Sequence, residues 1–91
     1  MSLGFAQASP TSSAALLSAL ITIPAAARMV KMQVDAAPVR YTLDGTTPTT
    51  ALGLKIIHTA ELPTIVTVDD GLRAMKVIAE SGSPKLNCEF F

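Results

Sequence analysis

The sequence is short of charge, aromatics and cysteine. Only 15% of its 91 residues are Asp, Glu, Lys or Arg, aromatics make up 4%, there is one cysteine, and tryptophan is absent. Soluble domains usually carry roughly 25% charged residues, so much of this surface must be Thr, Ser, Ala and exposed apolar side chains. Seven Lys and Arg balance seven Asp and Glu. That removes the net field that draws a protein to nucleic acid or to an anionic membrane, and neither partner is expected. The lone Cys88 excludes an internal disulfide and offers no metal-ligand spacing. Its neighbours Leu86 and Phe90 place it on an alternating apolar face, as a buried structural thiol.

Constellations that carry chemistry are also missing. His58 is the only histidine, and no Gly-x-Ser-x-Gly elbow occurs that would present a nucleophile to it. Asp69 and Asp70 are adjacent, so they point to opposite sides of an extended chain and lack the further oxygen ligands of a calcium loop; with Gly71 they read as a turn. The glycines stand scattered at positions 4, 45, 53, 71 and 82, which leaves no phosphate-cradling loop. No catalytic residue, metal or cofactor is expected, and the chain is not expected to be an enzyme.

The longest apolar stretch, Ala14 to Ile23, ends in Pro24 and a run of small residues, Ala25-Ala26-Ala27, that resembles a leader-cleavage site. No Lys or Arg precedes Arg28, however, and a leader needs a basic start. The stretch is interrupted by Ser18 and Thr22 and is too short for a bilayer, which takes about 20 apolar residues. It is read as part of the fold.

What the sequence does have is period-two alternation. Val30, Met32 and Val34 alternate with Lys31, Gln33 and Asp35. Val39, Tyr41 and Leu43 alternate with Arg40 and Thr42. Leu86, Cys88 and Phe90 alternate with Lys85, Asn87 and Glu89. Each pattern predicts a half-buried strand. Shorter strands are expected over Gly53–His58, Thr64–Val68 and Leu72–Ala79, and Ala15–Ile23 is read as a strand although Leu16, Leu17, Leu20 and Ile21 also fit a helix face. Turns fall at Asp44-Gly45, Asp69-Asp70-Gly71 and Ser81-Gly82-Ser83-Pro84. At 91 residues the chain is bounded to one domain. The expected fold is all-β: a small immunoglobulin-like antiparallel β-sandwich or barrel of six to seven strands over residues 14–91. Met1 to Ser13 are expected to form an extended N-terminal arm that carries Leu3 and Phe5.

One segment stands out, Val39-Arg40-Tyr41-Thr42-Leu43-Asp44-Gly45-Thr46-Thr47-Pro48-Thr49. Tyr41 suits the core face, Asp44 can accept hydrogen bonds from the amides of Thr46 or Thr47, Gly45 supplies an unusual φ, and Pro48 stops further pairing. This structural turn resembles the Tyr-Thr-x-Asp-Gly-Thr-x-Pro-Thr signature of small immunoglobulin-like modules appended to chitobiases and hexosaminidases. Those are accessory domains without catalytic residues, so the resemblance implies a carbohydrate-binding module as one reading.

The order of features over residues 15–91 is similar to that of short stand-alone proteins encoded among phage structural genes. The shared parts are an Ile-Pro followed by small residues and a strand (ITIPAAARMVKMQV), the Arg-Tyr-x-x-Asp-Gly-Thr-x-Pro-Thr corner, a Lys-Val-Ile strand and a closing Lys-Leu-Asn strand ending in aromatics. That resemblance implies a virion component assembled in the host cytoplasm. Its leading form is a capsid cement or decoration subunit, with a tail or head-to-tail connector part as the alternative. The implied partners are further copies of the chain, as a homotrimer, and the major capsid protein or other virion proteins. Leu3, Phe5, Phe90 and Phe91 are the expected subunit contacts.

Overall fold

The computed structural model describes residues 2–59, 62–66 and 73–91. In chain order its elements are β1 (Gly4–Ala8), β2 (Ala15–Leu16), a single helical turn α1 (Leu17–Leu20), β3 (Val30–Asp35), β4 (Val39–Thr42), β5 (Leu54–Ile56), β6 (Thr64–Val66), β7 (Lys76–Ala79) and β8 (Lys85–Phe90). The turn expected at Asp69-Asp70-Gly71 lies outside the described residues, as does the end of the run Thr64–Val68.

The alternating segments form strands for the reason their sequences give. Val30, Met32 and Val34 of β3, Val39 and Tyr41 of β4, and Leu86, Cys88 and Phe90 of β8 are all buried, while the residues between them are partly or fully exposed. Burial of such side chains is worth about 1.5–3 kcal/mol each. No charged side chain is buried among the described residues, and no buried side-chain nitrogen or oxygen among them is left without a partner. Burial pushes the Cys88 thiol up to about 12, and its Sγ lies 3.9 Å from the Leu86 carbonyl. It stays protonated and packs as a small apolar side chain.

Two four-stranded sheets result, in the orders β1-β8-β3-β6 and β2-β7-β4-β5, with every pair antiparallel. The antiparallel β-sandwich expected from the sequence is therefore present, with eight strands among the described residues rather than six or seven. β1 and β2, β3 and β4, β5 and β6, and β7 and β8 occupy matching places in the two orders, and short links such as residues 36–38 and 80–84 carry the chain from one sheet to the other. β1 pairs with β8, β2 with β7, β3 with β6 and β4 with β5: the chain is one long hairpin folded over on itself. This is the strand order of a jelly roll, not the immunoglobulin order, in which the first two strands are neighbours in one sheet.

The N-terminal segment corrects the expectation of an arm. Gly4 to Ala8 lie against Phe90 to Leu86 as an edge strand of the first sheet, and Ala8 is buried. The segment was expected to stand off the domain because its inward residues are small; Gly4, Ala6 and Ala8 carry no large side chain that would mark a core face. Past it, the Ala79 N–H donates to the Thr11 carbonyl at 2.8 Å, which ties residues beyond β1 to the second sheet.

Ala15–Ile23 is also not one strand. Pairing stops at Leu16, opposite Lys76, the first residue of β7. With no strand left to pair, the chain makes one helical turn, closed by the Ile21 N–H donating to the Leu17 carbonyl at 3.0 Å. That spacing buries Leu17 and packs Leu20 and Ile21 against the core. The following loop is gripped by Arg73, whose guanidinium donates to the carbonyls of Pro24, Ala25 and Ala27 at 3.0–3.2 Å. No helix among the described residues is long and apolar enough to cross a membrane.

The link from β3 to β4 contains a strained residue. Ala36 has φ +76, and the Ala37 N–H donates to the Asp35 carbonyl at 3.0 Å, which makes a γ-turn of the rare positive-φ kind. An alanine there bears a steric cost that glycine does not. Ala36→Gly is expected to stabilise the fold by about 0.5–1 kcal/mol, read as a rise in the urea midpoint at unchanged slope. A lower midpoint would show that the turn is not strained.

Candidate functional site

Two features are candidates for function: the corner that forms the apex of the folded hairpin, and the side walls of the sandwich. At the apex, Tyr41 is buried in β4 and the chain turns through Asp44 and Gly45. The Thr46 N–H donates to Asp44 Oδ1 at 3.0 Å, Gly45 has φ +87, and the Thr42 hydroxyl donates to the Thr46 carbonyl. Hydrogen bonds from Thr46 hold the Asp44 carboxyl below its ordinary value of 3.8. Folding thus favours the ionised form; the contribution is present above the ordinary carboxylate range and is lost as pH falls through the lowered value. Pro48 is fully buried, and Thr49 and Leu52 exchange backbone hydrogen bonds of 3.0 and 3.3 Å in a tight turn leading to β5.

Gly53 is the point where this turn meets β4. Its φ is +130, and a Cβ there would lie 3.1 Å from the Tyr41 carbonyl oxygen and 3.3 Å from Arg40 Cβ. Arg40 secures the approach, donating from Nη1 to the Gly53 carbonyl at 3.0 Å and from Nε to Glu80 at 2.7 Å. Lys55 reaches the other Glu80 oxygen at 2.9 Å, and hydrogen bonds from Lys55 and then Arg40 hold the Glu80 carboxyl below its ordinary 4.5. A shallow concavity of about 300 Å³ beside the turn is lined by Tyr41, Leu43, Asp44, Leu52 and Leu54 among others. Asp44 is its only charged lining residue, and Thr42, Asp44, Thr47 and Thr49 are hydrogen-bonded within the chain. This corner is built to hold its own backbone.

The side walls are different. The exposed large apolar residues among those described are Leu3, Phe5, Leu16, Leu52, Leu54, Ile57, Leu62 and Ile65. Every one lies in, or within two residues of, an edge strand: β1 and β2 on one side, β5 and β6 on the other. None belongs to the central strands. Phe5 is 67% exposed and Leu62 81%, so these are open side chains rather than partly covered ones.

Of the expected subunit contacts, Leu3 and Phe5 are exposed at β1, and Phe5 projects from the outer face of the first sheet in one row with Glu89, Lys31 and Ile65. Phe90 is different: it points inward from β8, a strand flanked on both sides, and is 1% exposed. It belongs to the core and cannot meet a neighbour. Phe91 is half-buried, paired through its backbone with Met29, and its ring lies 5.1 Å from Lys31 Nζ in a cation–π contact. The second wall was missed in the sequence. Its signal was there, since Leu54, Ile56 and Ile57 make both faces of one short segment apolar, which a strand with one solvated face does not need. His58 is exposed, and no three His, Cys, Asp or Glu side chains among the described residues gather as metal ligands.

Comparison with protein-family models, curated proteins and solved structures finds no match to this chain.

The apex geometry separates the roles of its two glycines. At Gly45 a Cβ meets open space, so Gly45→Ala costs only the positive-φ penalty, about 1 kcal/mol, or a melting temperature lower by about 5 °C. Gly53→Ala adds a collision with the Tyr41 backbone and is expected to cost about 2–3 kcal/mol or more, lowering the melting temperature by more than about 10 °C. Equal shifts in calorimetry would show that the close approach at Gly53 is not required.

Proposed function

We propose that this chain is a structural subunit of a phage particle, and that it works as a cement or decoration protein on the head. The observation that carries the reading is where the apolar surface lies. A domain with 15% charged residues buries apolar side chains in a core with no buried charge among the described residues, and its exposed large apolar residues lie in or beside the edge strands. Contiguous apolar surface on a small domain marks contact with other proteins. Open strand edges are the part of a β-protein most ready to pair with another chain.

Jelly rolls are used in viral capsids, and also in lectins and cupins, so the topology agrees with the reading without carrying it. The carbohydrate alternative has less support. Sugars are bound largely by stacking on exposed aromatic rings; this chain has no Trp, its Tyr41 is buried, and Phe5 is the single exposed aromatic among the described residues. Likewise the chitobiase-like corner serves to close the hairpin.

A head-binding assay tests the proposal. Purified protein added to phage heads that lack it is expected to cosediment in a fixed, saturable copy number and to raise the temperature at which the heads release DNA. A protein that neither cosediments with heads nor is found by mass spectrometry in the purified particles of its phage would overturn the reading.

A further inference from the structure

The outer faces of the two sheets treat their charges differently. On the second sheet, Arg40 and Lys55 both reach Glu80, at 2.7 and 2.9 Å. On the first, Lys31 and Glu89 are direct neighbours across β3 and β8, as are Asp35 and Lys85. Opposite charges placed in this way can pair within a sheet, yet among the described residues none of the four is in an ion pair. Lys31 lies over the Phe91 ring, Lys85 donates to the Ser9 hydroxyl and Asp35 accepts from the Asn87 amide. Their charges are left uncompensated on one face.

The register arranges that face in rows. Phe5, Glu89, Lys31 and Ile65 make the first, running from β1 through β8 and β3 to β6; Asn87 and Gln33 stand in the second, and Lys85 and Asp35 in the third. Along β8 the order is acid, amide, base, and in step along β3 it is base, amide, acid. The first row ends at both sides in open apolar side chains, Phe5 67% and Ile65 52% exposed. A concavity of about 150 Å³ runs between Phe5 and Pro63, with Lys31 and Glu89 in its lining. The edges of this sheet are less open than its face: Pro63 precedes β6, and Pro24 packs beside β1, its Cγ 3.6 Å from the place a Cβ on Gly4 would take. Prolines at an edge discourage further strand pairing.

We infer that two copies of this chain pair face to face through the outer surface of the first sheet, related by a twofold axis that runs along the strands between β8 and β3. That operation lays β8 on the partner's β3 and β1 on the partner's β6. Each row then meets itself reversed. Phe5 lies on the partner's Ile65, Glu89 on the partner's Lys31 and Lys85 on the partner's Asp35, and each contact occurs twice, as in any isologous interface. The occupant is a second copy because the complement of this face, apolar ends and charges alike, is the face itself. A twofold across the strands, centred on the middle row, also brings opposite charges together, but it carries Phe5 to the Ser9 end of β1 and gives Ile65 no apolar partner. Apolar contacts at both ends close the two facing concavities at their sides. The charges between them act in partly dehydrated space, where attraction is stronger than at an open surface. Two copies make every one of these contacts, so no third copy of the expected homotrimer is required. The pairing is a property of the free chain and does not depend on the head.

The test uses the full chain and two charge reversals, Lys31→Glu and Glu89→Lys. Solution mass is measured by size-exclusion chromatography with light scattering over a hundredfold concentration range, with circular dichroism to check the fold. The unmodified chain is expected to reach twice 9.5 kDa at the top of the range. Each variant alone is expected to raise the dissociation constant by at least about tenfold, since two attractive contacts become repulsive. The equimolar mixture is expected to recover the unmodified constant: in the mixed pair the two substituted side chains meet each other, and the remaining native Glu89 meets the remaining native Lys31. That recovery cannot arise within either chain, where positions 31 and 89 stay alike in charge, and a twofold across the strands would not give it because like charges would still meet. An unmodified chain that stays a monomer throughout, or that forms three or more copies, overturns the pairing. So does a variant that dimerises like the unmodified chain, or a mixture as weak as its parts. If either variant fails to fold, Lys85→Glu and Asp35→Lys replace the two, with the same expectation at the third row. The head-binding assay is independent of these masses: a monomer that still binds heads refutes the pairing alone, and a dimer that ignores heads refutes the virion role alone.

Discussion

Nested pairing is the constraint on which the rest of this structure depends. Because β4 pairs with β5, β3 with β6, β2 with β7 and β1 with β8, each pair lies outside the one before it, and the register of the innermost pair governs the others. At the apex Val39 lies opposite Ile56 and Tyr41 opposite Leu54. A slip of one residue would turn Ile56 out and Lys55 into an interior in which no charged side chain is buried among the described residues. The Asp44-Gly45 turn, the seat of Gly53 under the Tyr41 carbonyl and the Arg40 bond to Gly53 all act at that point. They fix the register of the innermost pair. The outermost pair joins residues at opposite ends of the sequence, and such non-local pairing is slow to form.

The same construction explains why the edges fall where they do. Folding a long hairpin over itself puts the strands on either side of the fold line in the centre and leaves two edges at each side wall. β8 and β3 then complete the first sheet's centre, and β7 and β4 the second's. Central strands can afford alternation because both of their edges are paired and one face is covered. Edge strands are short here, two residues in β2 and three in each of β5 and β6, and this brevity limits uncontrolled edge pairing without removing the apolar side chains beside it.

How much of this was legible in the sequence follows from the same division. The alternation of β3, β4 and β8 was readable because one face of each meets a core made of large side chains. The corner was readable because Asp, Gly and Pro each have a specific backbone role, and Asp44, Gly45 and Pro48 fill them as the sequence suggests. β1 was not readable: Gly4, Ala6 and Ala8 face inward with almost no apolar bulk, so a true strand looked like an unstructured arm. For Phe90, alternation points inward and the aromatic C-terminus suggests an outward contact; the pairing of β8 on both sides decides for the first. The strand order lay beyond the sequence altogether, since periodicity says which residues face the core and nothing about which strands are neighbours.

The distribution of charge connects fold to function. In the described residues the ionised side chains are largely engaged across the sheet faces and loops. Arg40 and Lys55 share Glu80, Arg73 holds three loop carbonyls, Lys85 donates to Ser9, Asn87 donates to Asp35, and Lys31 lies over Phe91. Each such contact is worth little by itself at the surface. Together they place the few charges where they brace neighbouring strands, and among the described residues Lys55 is the one charge within an edge strand. A domain selected to remain alone would gain more from the reverse arrangement, with lysines on the edges and neutral faces. The observed one suits a small β-domain, thin in stability for its size, that completes its surface against other chains.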